Sequence, residues 1–139
     1  MLSAGTNIRV RYAETDKMGI VYLANYFIWF EAVRIQLLDN LGIPYRELEK
    51  RGYMLPVLEC GAKFLKPAHF DDQLTITISI DDLPIARIEA LYEVKRGDEL
   101  LATGRTIHAF VSPEGKILRP PEDFSEKARE IFAQAPAQQ

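Results

Sequence analysis

The sequence predicts an α+β fold in which a curved antiparallel β-sheet wraps around one long central α-helix. Two observations lead to this prediction. The segment from Tyr22 or Ala24 to about Asn40 has the pattern of a helix that is apolar on nearly all sides, which is typical of a buried helix. Several segments of alternating hydrophobicity follow it, separated by short turns. Because a sheet covers only one side of a helix, we expect a dimer in which two sheets form one continuous surface.

The elements around the central helix follow from periodicity and turn residues. The alternating segment Asn7–Tyr12 (NIRVRY) predicts a first strand, and the polar stretch Glu14–Gly19 predicts a turn. Gly42 ends the central helix, and Pro44 opens a short helix over Tyr45–Arg51.

The second half of the chain predicts strands joined by turns. They cover Met54–Leu65, Leu74–Ile80, Ile85–Arg96 and Leu100–Val111. In the first of them, one face carries Leu58, Cys60, Ala62 and Phe64. A terminal helix is predicted over Phe124–Ala133, and the tail Ala133–Gln139 is predicted to be disordered.

Length and composition limit the class of protein. The 139 residues predict a single domain over 1–139. The net charge of −3 argues against nucleic acid as the main partner. One cysteine, Cys60, excludes an internal disulfide, which is consistent with a reducing cytoplasm. The longest apolar run, Ile20–Phe30, is interrupted by Asn25 and is too short to span a bilayer, so membrane insertion is not expected.

Asp16 is the residue with the clearest chemical potential, because it lies in the polar turn directly before the apolar helix. A carboxylate at this point can act as a nucleophile or as a general base. The first N–H groups of a helix lack intrahelical partners and lie at the positive end of its dipole. On the sequence alone, however, a turn or helix-capping role for Asp16 is the commoner one.

Three segments carry a resemblance to a known family. They are RYAETDKMGIVYLANYFIWFEAVR (Arg11–Arg34), LPVLECGAKFLKPAHFDD and GRTIHAFVSPEGK. Over roughly Ile8 to Pro121 the chain resembles the hotdog-fold acyl-CoA thioesterases of the 4-hydroxybenzoyl-CoA thioesterase family. The resemblance implies a hotdog fold, a homodimer often paired into a tetramer, and acyl-CoA hydrolysis between two subunits, without metal or cofactor.

The resemblance also implies roles for residues of the turn and the helix start. Asp16 matches the catalytic carboxylate of the family, with Gly19 in the same signature, and the backbone N–H of Leu23 is expected to hold the thioester carbonyl. Many relatives have histidine at the position of Leu23, in a YHANY pattern. Because this donor belongs to the backbone, leucine can serve as well. Asp16 attacking directly and Asp16 activating water both stay open.

Five further residues are candidates for substrate binding: Tyr12, Tyr22, Asn25, Glu31 and Arg87. Tyr12 either borders the site or is a rim or core residue. Asn25 either caps the helix, which is the default, or orients the Asp16 turn. Glu31 is either a second carboxylate of the site or a structural residue, in an i,i+3 ion pair with Arg34 or in a contact across the dimer, and the structural role is the favoured one.

Basic residues are expected around the coenzyme A phosphates, and Lys63, Lys66, Arg87 and Arg105 are available. Arg87 is the first choice, although a solvated surface charge is the commoner role for each. Glu59 is expected to be structural, and Cys60 to be a small buried hydrophobic residue. His69 and His108 do not have the spacing of metal ligands.

Two other functions compete with hydrolysis. A non-catalytic hotdog that binds or senses acyl-CoA or acyl carrier protein is favoured only by Leu23, and the retained Asp16 argues against it. A hydratase needs a histidine paired with an acid, and neither His69 nor His108 lies in the motif. The acyl-chain preference and the choice between coenzyme A and acyl carrier protein as donor stay open at this stage.

Overall fold

The computed structural model describes residues 1–134 and confirms the predicted α+β class. A five-stranded antiparallel sheet has the strand order β1-β3-β4-β5-β2. Its strands are β1 (Leu2–Arg9), β2 (Val57–Phe64), β3 (Gln73–Ile80), β4 (Ile88–Arg96) and β5 (Glu99–His108). The helices are α1 (Ala24–Asn40), α2 (Tyr45–Lys50) and α3 (Glu122–Gln134), and a 3-10 turn covers Tyr12–Glu14.

The central helix α1 is where the sequence predicts it, and it packs on one face of the sheet. Its buried residues recur at helical spacing: Tyr26, Trp29, Phe30, Val33, Leu37 and Leu38. The facing residues of β3 alternate with exposed ones, so Leu74, Ile76 and Ile78 join the same core. Within residues 1–134, none of the helices has the length and apolar character needed to cross a membrane.

A glycine on β5 sets how closely α1 approaches the sheet. A Cβ atom built on Gly104 would lie 2.4 Å from Cε2 of Phe30. The Phe30 ring is completely buried and also stacks on Tyr92 of β4, with ring centroids 4.3 Å apart. The ring therefore occupies a hollow that only glycine leaves open, and this contact fixes α1 against the middle of the sheet.

Several strand boundaries differ from the prediction because strand pairing sets them. β1 pairs with β3 from Leu2↔Ile80 to Arg9↔Gln73, so it begins and ends earlier than the predicted Asn7–Tyr12. β2 begins at Val57, directly after Pro56, which lacks the N–H that a strand needs. β4 begins at Ile88, where its pairing with His108 of β5 begins, and β5 ends there.

The terminal helix extends further than predicted. The helix α3 begins at Glu122 and ends at Gln134, so Gln134, assigned to the disordered tail from the sequence, and Ala133, placed in both the helix and the tail, belong to it. Phe124 and Ala128 of this helix are buried, and Ile131 and Phe132 pack against the core, which stabilises its last turn. The rest of the predicted tail, 135–139, lies outside the described residues.

Strand β2 forms an exposed edge of the sheet. Its residues are exposed on both faces, apart from the half-buried Ala62. Cys60 is therefore exposed in the single chain, and its predicted burial is wrong because no strand of residues 1–134 covers β2 on its outer side. A register shift between Val57 and Glu59 takes Leu58 out of the alternation, whereas Cys60, Ala62 and Phe64 pair with Thr106, Gly104 and Ala102.

We expect Gly104→Ala to destabilise the fold, because the new methyl group must displace the buried Phe30 ring. The expected loss is about 1–3 kcal/mol in the free energy of unfolding, measured by urea denaturation. Gly5→Ala is the matched control, because its Cβ would meet Thr77 only at an ordinary 3.6 Å. Equal stability of the two variants would contradict this account of the helix position.

Candidate active site

Asp16 lies in a tight turn that its own side chain helps to close. Its Oδ1 accepts the backbone N–H of Met18 at 2.9 Å, and its carbonyl accepts the N–H of Gly19 at 3.0 Å. Gly19 has φ of 79°, a conformation that favours glycine. Asp16 thus has the turn-forming role that the sequence alone favoured. Its second carboxylate oxygen makes no hydrogen bond within residues 1–134.

The start of α1 presents free backbone donors beside this turn. The N–H groups of Asn25 and Tyr26 donate to the carbonyls of Tyr22 and Leu23, respectively. In the part of the chain that the structure describes, the N–H groups of Leu23 and Ala24 have no acceptor. They lie at the positive end of the helix dipole, where a developing negative charge is stabilised.

Asp16 and Leu23 line the same cavity, which we call the site cavity. Its volume is about 440 Å³. The turn and the helix start form one wall, and the end of β2 with the following loop forms the other. The lining residues are Asp16, Met18, Ile20, Val21, Tyr22, Leu23, Tyr26, Phe64, Leu65, Lys66 and Pro67. The cavity therefore combines Asp16, mostly apolar walls and Leu23, which is one of the two residues at the helix start whose N–H has no acceptor within residues 1–134.

A buried acid that the sequence did not single out holds the turn against the helix. Glu14 is 5% exposed, and its carboxylate accepts the backbone N–H of Arg11 at 2.8 Å and the Trp29 indole N–H at 3.0 Å. Its carbonyl accepts the N–H of Tyr22 at 2.9 Å and the side-chain amide of Asn25 at 2.8 Å. Glu14 therefore connects the turn that carries Asp16 to the first turns of α1.

The environment of Glu14 favours its charged form. Burial alone would raise the pKa of this carboxyl, but the hydrogen bonds from Arg11 and Trp29, together with the Arg11 guanidinium, hold it below its usual value. No sequence signal identifies such a residue, because its buried donor, Trp29, is distant along the chain and aromatic residues of a helix are usually simple core residues.

Three of the four predicted site residues near Asp16 contribute to the cavity or to its turn, and Tyr12 does not. Gly19 shapes the turn, and Tyr22, which is 53% exposed, lines the site cavity. Asn25 does not cap α1, because Leu23 holds the cap position; its amide instead orients the turn through the Glu14 carbonyl. Tyr12 lies outside the cavity lining and stacks on Phe70, with ring centroids 3.7 Å apart.

The other two predicted residues lie away from the site cavity of their own chain. Glu31 is exposed on α1 and makes no ion pair with Arg34 within residues 1–134, because the Arg34 guanidinium instead donates to the Tyr92 hydroxyl at 3.1 Å. The predicted ion pair is therefore absent from the described residues, whereas the other favoured structural role of Glu31, a contact across the dimer, stays a prediction. Arg87 pairs with Glu59 of β2 at 3.2 Å, and both side chains are well exposed.

We expect Trp29→Phe to separate Glu14 from the helix while preserving the apolar packing. The lost donor leaves a buried carboxylate oxygen without one of its partners, which costs about 1–3 kcal/mol of stability. We also expect a lower kcat with little change in KM, because the Asp16 turn loses its fixed position. Urea denaturation and steady-state kinetics test this, and a wild-type kcat in the folded variant would contradict it.

Comparisons with known proteins identify the family of the chain. Residues 10–128 match the thioesterase-like superfamily. The Bacillus subtilis protein YneP, provisionally named an acyl-CoA thioesterase, is 44% identical over 75 residues, which span 54% of each chain. The 4-hydroxybenzoyl-CoA thioesterase of Pseudomonas sp. strain CBS-3 is 30% identical over 129 residues, 85% of this chain and 92% of that one.

A solved structure shows the same fold. The DHNA-CoA thioesterase from Staphylococcus aureus superposes with a TM-score of 0.90 at 30% identity, covering 96% of this chain and 93% of that one. The fold and the relatives define the class as a hotdog-fold thioester hydrolase. The chain belongs to the thioesterase-like superfamily.

Proposed function

We propose that the protein hydrolyses acyl-CoA thioesters to the free acid and coenzyme A, with Asp16 as nucleophile or general base. The observation that carries this proposal is that one cavity is lined by Asp16 and by Leu23, whose backbone N–H has no acceptor within residues 1–134. The names of the relatives support coenzyme A as the thiol of the substrate.

The arrangement suits the chemistry of a thioester. The carbonyl oxygen accepts the N–H groups at the start of α1, which stabilise the negative charge that develops when the carbonyl carbon is attacked. Either Asp16 attacks that carbon and water then hydrolyses the resulting anhydride, or Asp16 takes a proton from an attacking water. In both routes the C–S bond breaks, the coenzyme A thiolate leaves, and water supplies the oxygen of the new carboxylate.

The first test is thiol release from short, medium, long and aromatic acyl-CoAs by the wild type and Asp16→Asn. Asparagine keeps the oxygen that accepts the Met18 N–H, so the turn is preserved. We expect turnover to fall about 10²–10⁴-fold with little change in acyl-CoA affinity. Equal turnover in the variant would contradict the role of Asp16. Tight binding without release by the wild type would instead indicate a binding or sensing protein.

The second test removes the backbone donor at position 23. Leu23 has φ of −54°, which proline can adopt, and proline is tolerated at the start of a helix. Leu23→Pro deletes the N–H, whereas the control Leu23→Ala retains it. We expect the proline variant to lose about 10²–10³-fold in kcat and the alanine variant to lose far less. Similar losses in both would show that the leucine side chain shapes the site.

We further propose that two chains pair through their β2 strands, which extends the two sheets into one. An exposed edge strand offers unpaired backbone groups to a second strand. Antiparallel pairing about a two-fold axis at Gly61 places Glu59 opposite Lys63 of the partner subunit. It also places Leu58 opposite Phe64 of the partner subunit. Lys63 makes no ion pair within residues 1–134. In this register, Glu59 of the partner subunit becomes its ion-pair partner.

This pairing connects the site cavity to a second chain. Phe64 and Leu65, at one end of β2, line the site cavity. The proposed register brings the opposite end of the partner's β2 beside them. Arg87 lies near that end of β2, because its guanidinium pairs with Glu59 of the same chain. We propose that Arg87 of the partner subunit binds the coenzyme A phosphates at the cavity mouth.

Charge reversal tests the register. Lys63→Glu places two acids opposite each other at both ends of the pairing, which opposes association. The double variant Lys63→Glu with Glu59→Lys restores opposite charges and should recover the dimer. Sedimentation at low and high salt measures the association state of both variants. The same experiment on the wild type shows whether the predicted tetramer forms. A single variant that dimerises like the wild type, or a double variant that does not recover, would contradict the register.

A further inference from the structure

A chain of polar side chains runs through the core between the sheet and α1. The Arg34 guanidinium donates to the Tyr92 hydroxyl at 3.1 Å. The Tyr92 hydroxyl lies 2.7 Å from Oγ1 of Thr106, which lies 2.8 Å from Nε2 of His108. Nδ1 of His108 lies 3.1 Å from the Pro56 carbonyl. Tyr92, Thr106 and His108 are each at most 2% exposed.

The direction of every hydrogen bond in this chain follows from its two ends. A backbone carbonyl only accepts, so Nδ1 of His108 carries the proton and Nε2 is the acceptor. The Thr106 hydroxyl therefore donates to His108, and the Tyr92 hydroxyl donates to Thr106. The Arg34 guanidinium, which only donates, completes the chain. Burial, with the nearby Arg34 charge, lowers the pKa of His108 to about 4, which is consistent with a neutral imidazole at neutral pH.

Arg34 is half-buried, whereas Tyr92, Thr106 and His108 of the same hydrogen-bond chain are buried. It lines a cavity of about 280 Å³, which we call the seam cavity, between α1 and β2. The other lining residues are Phe27, Ile28, Glu31, Val57, Cys60 and Thr106. Within residues 1–134 Arg34 has no carboxylate partner, and one of its five N–H groups bonds to Tyr92. The buried chain thus holds a guanidinium whose other donors are available to a ligand.

We propose that Arg34 is a specificity residue, which binds an oxygen atom at the far end of the acyl group. Tyr92, Thr106 and His108 act as positioning residues that hold its guanidinium in the seam cavity. This inference rests on the proposed acyl-CoA hydrolysis. A hydroxyl or a carboxylate oxygen can accept from Arg34. A hydroxyl can also donate to the Glu31 carboxylate, whereas a substrate carboxylate is repelled by the negative charge of Glu31.

In the proposed pairing of two chains, the seam cavity of one chain lies where the far end of an acyl group bound in the other is expected. Phe64 lines the site cavity and Cys60 the seam cavity, on the same face of β2 and about 13 Å apart along the strand. In the pairing about Gly61, Cys60 of the partner subunit lies opposite Ala62, two residues from Phe64. The seam cavity of one chain then adjoins the site cavity of the other.

The test compares matched acyl-CoAs that differ only at the last carbon. Hexanoyl-CoA and decanoyl-CoA are each compared with their ω-hydroxy and ω-carboxy forms in the wild type and Arg34→Met. We expect the wild type to prefer an oxygenated form about tenfold or more in kcat/KM, because an unfilled donor site penalises the plain chain. In Arg34→Met this ratio should approach one, because the acyl oxygen loses its donor.

Thr106→Val tests the positioning residues separately. Valine has the shape of threonine but interrupts the hydrogen-bond chain without touching the Arg34 charge. We expect an intermediate preference in this variant, with a KM effect confined to the oxygenated substrates. Arg34→Lys, which keeps the charge without the planar fork, should restore only part of the preference and serves as a second variant if Arg34→Met fails to fold.

The outcomes separate this inference from the proposed function. If no acyl-CoA shows Asp16-dependent release, the proposed function fails. If release depends on Asp16 but the wild type makes no distinction between plain and oxygenated chains, only the role of Arg34 is overturned. An equal loss on all substrates in Arg34→Met would show a purely structural role and would also overturn it. A comparison of the ω-hydroxy and ω-carboxy substrates shows whether Arg34 binds a hydroxyl oxygen or a carboxylate oxygen.

Discussion

The packing of the apolar helix α1 on a single sheet face is the constraint on which the rest of the structure depends. Phe30 fills the hollow over Gly104, so the helix cannot shift along the sheet without a clash. Trp29, the preceding residue, then reaches the buried Glu14 carboxylate. Because Glu14 also accepts the N–H of Tyr22 through its carbonyl, the turn that carries Asp16 is fixed relative to the free N–H groups of the helix. Core packing thereby sets the geometry of the site.

The same constraint leaves one side of the helix uncovered. The sheet ends at β2, whose residues are largely exposed, and Ile28 of α1 is 61% exposed beside it. The site cavity and the seam cavity both lie along this open seam between α1 and β2. A second chain on β2 would cover the exposed apolar residues and close both cavities. In the proposed dimer, association and substrate binding use the same surface.

The sequence was informative where the signal is local. Hydrophobic periodicity predicted α1, the succession of strands and the α+β class, and the resemblance directed attention to Asp16 and Leu23. Strand ends, the bulge at Leu58 and the exposure of Cys60 depend on which strands pair, which no local pattern specifies. Glu14 and the buried chain through His108 were missed for the same reason, since their partners are distant along the sequence. The Glu31–Arg34 pair failed because a tertiary partner, Tyr92, takes the guanidinium.

In the proposed mechanism, the N–H groups at the start of α1 hold the thioester carbonyl while Asp16 acts on it. The most direct measurement is the amide proton chemical shift of Leu23 in the Asp16→Asn protein when an acyl-CoA is added. Slow turnover in this variant allows the bound substrate to be observed. The account predicts a downfield shift at Leu23, larger than at the neighbouring amides of α1, because its free N–H gains an acceptor. Saturation with substrate while the Leu23 amide is unchanged would contradict the account.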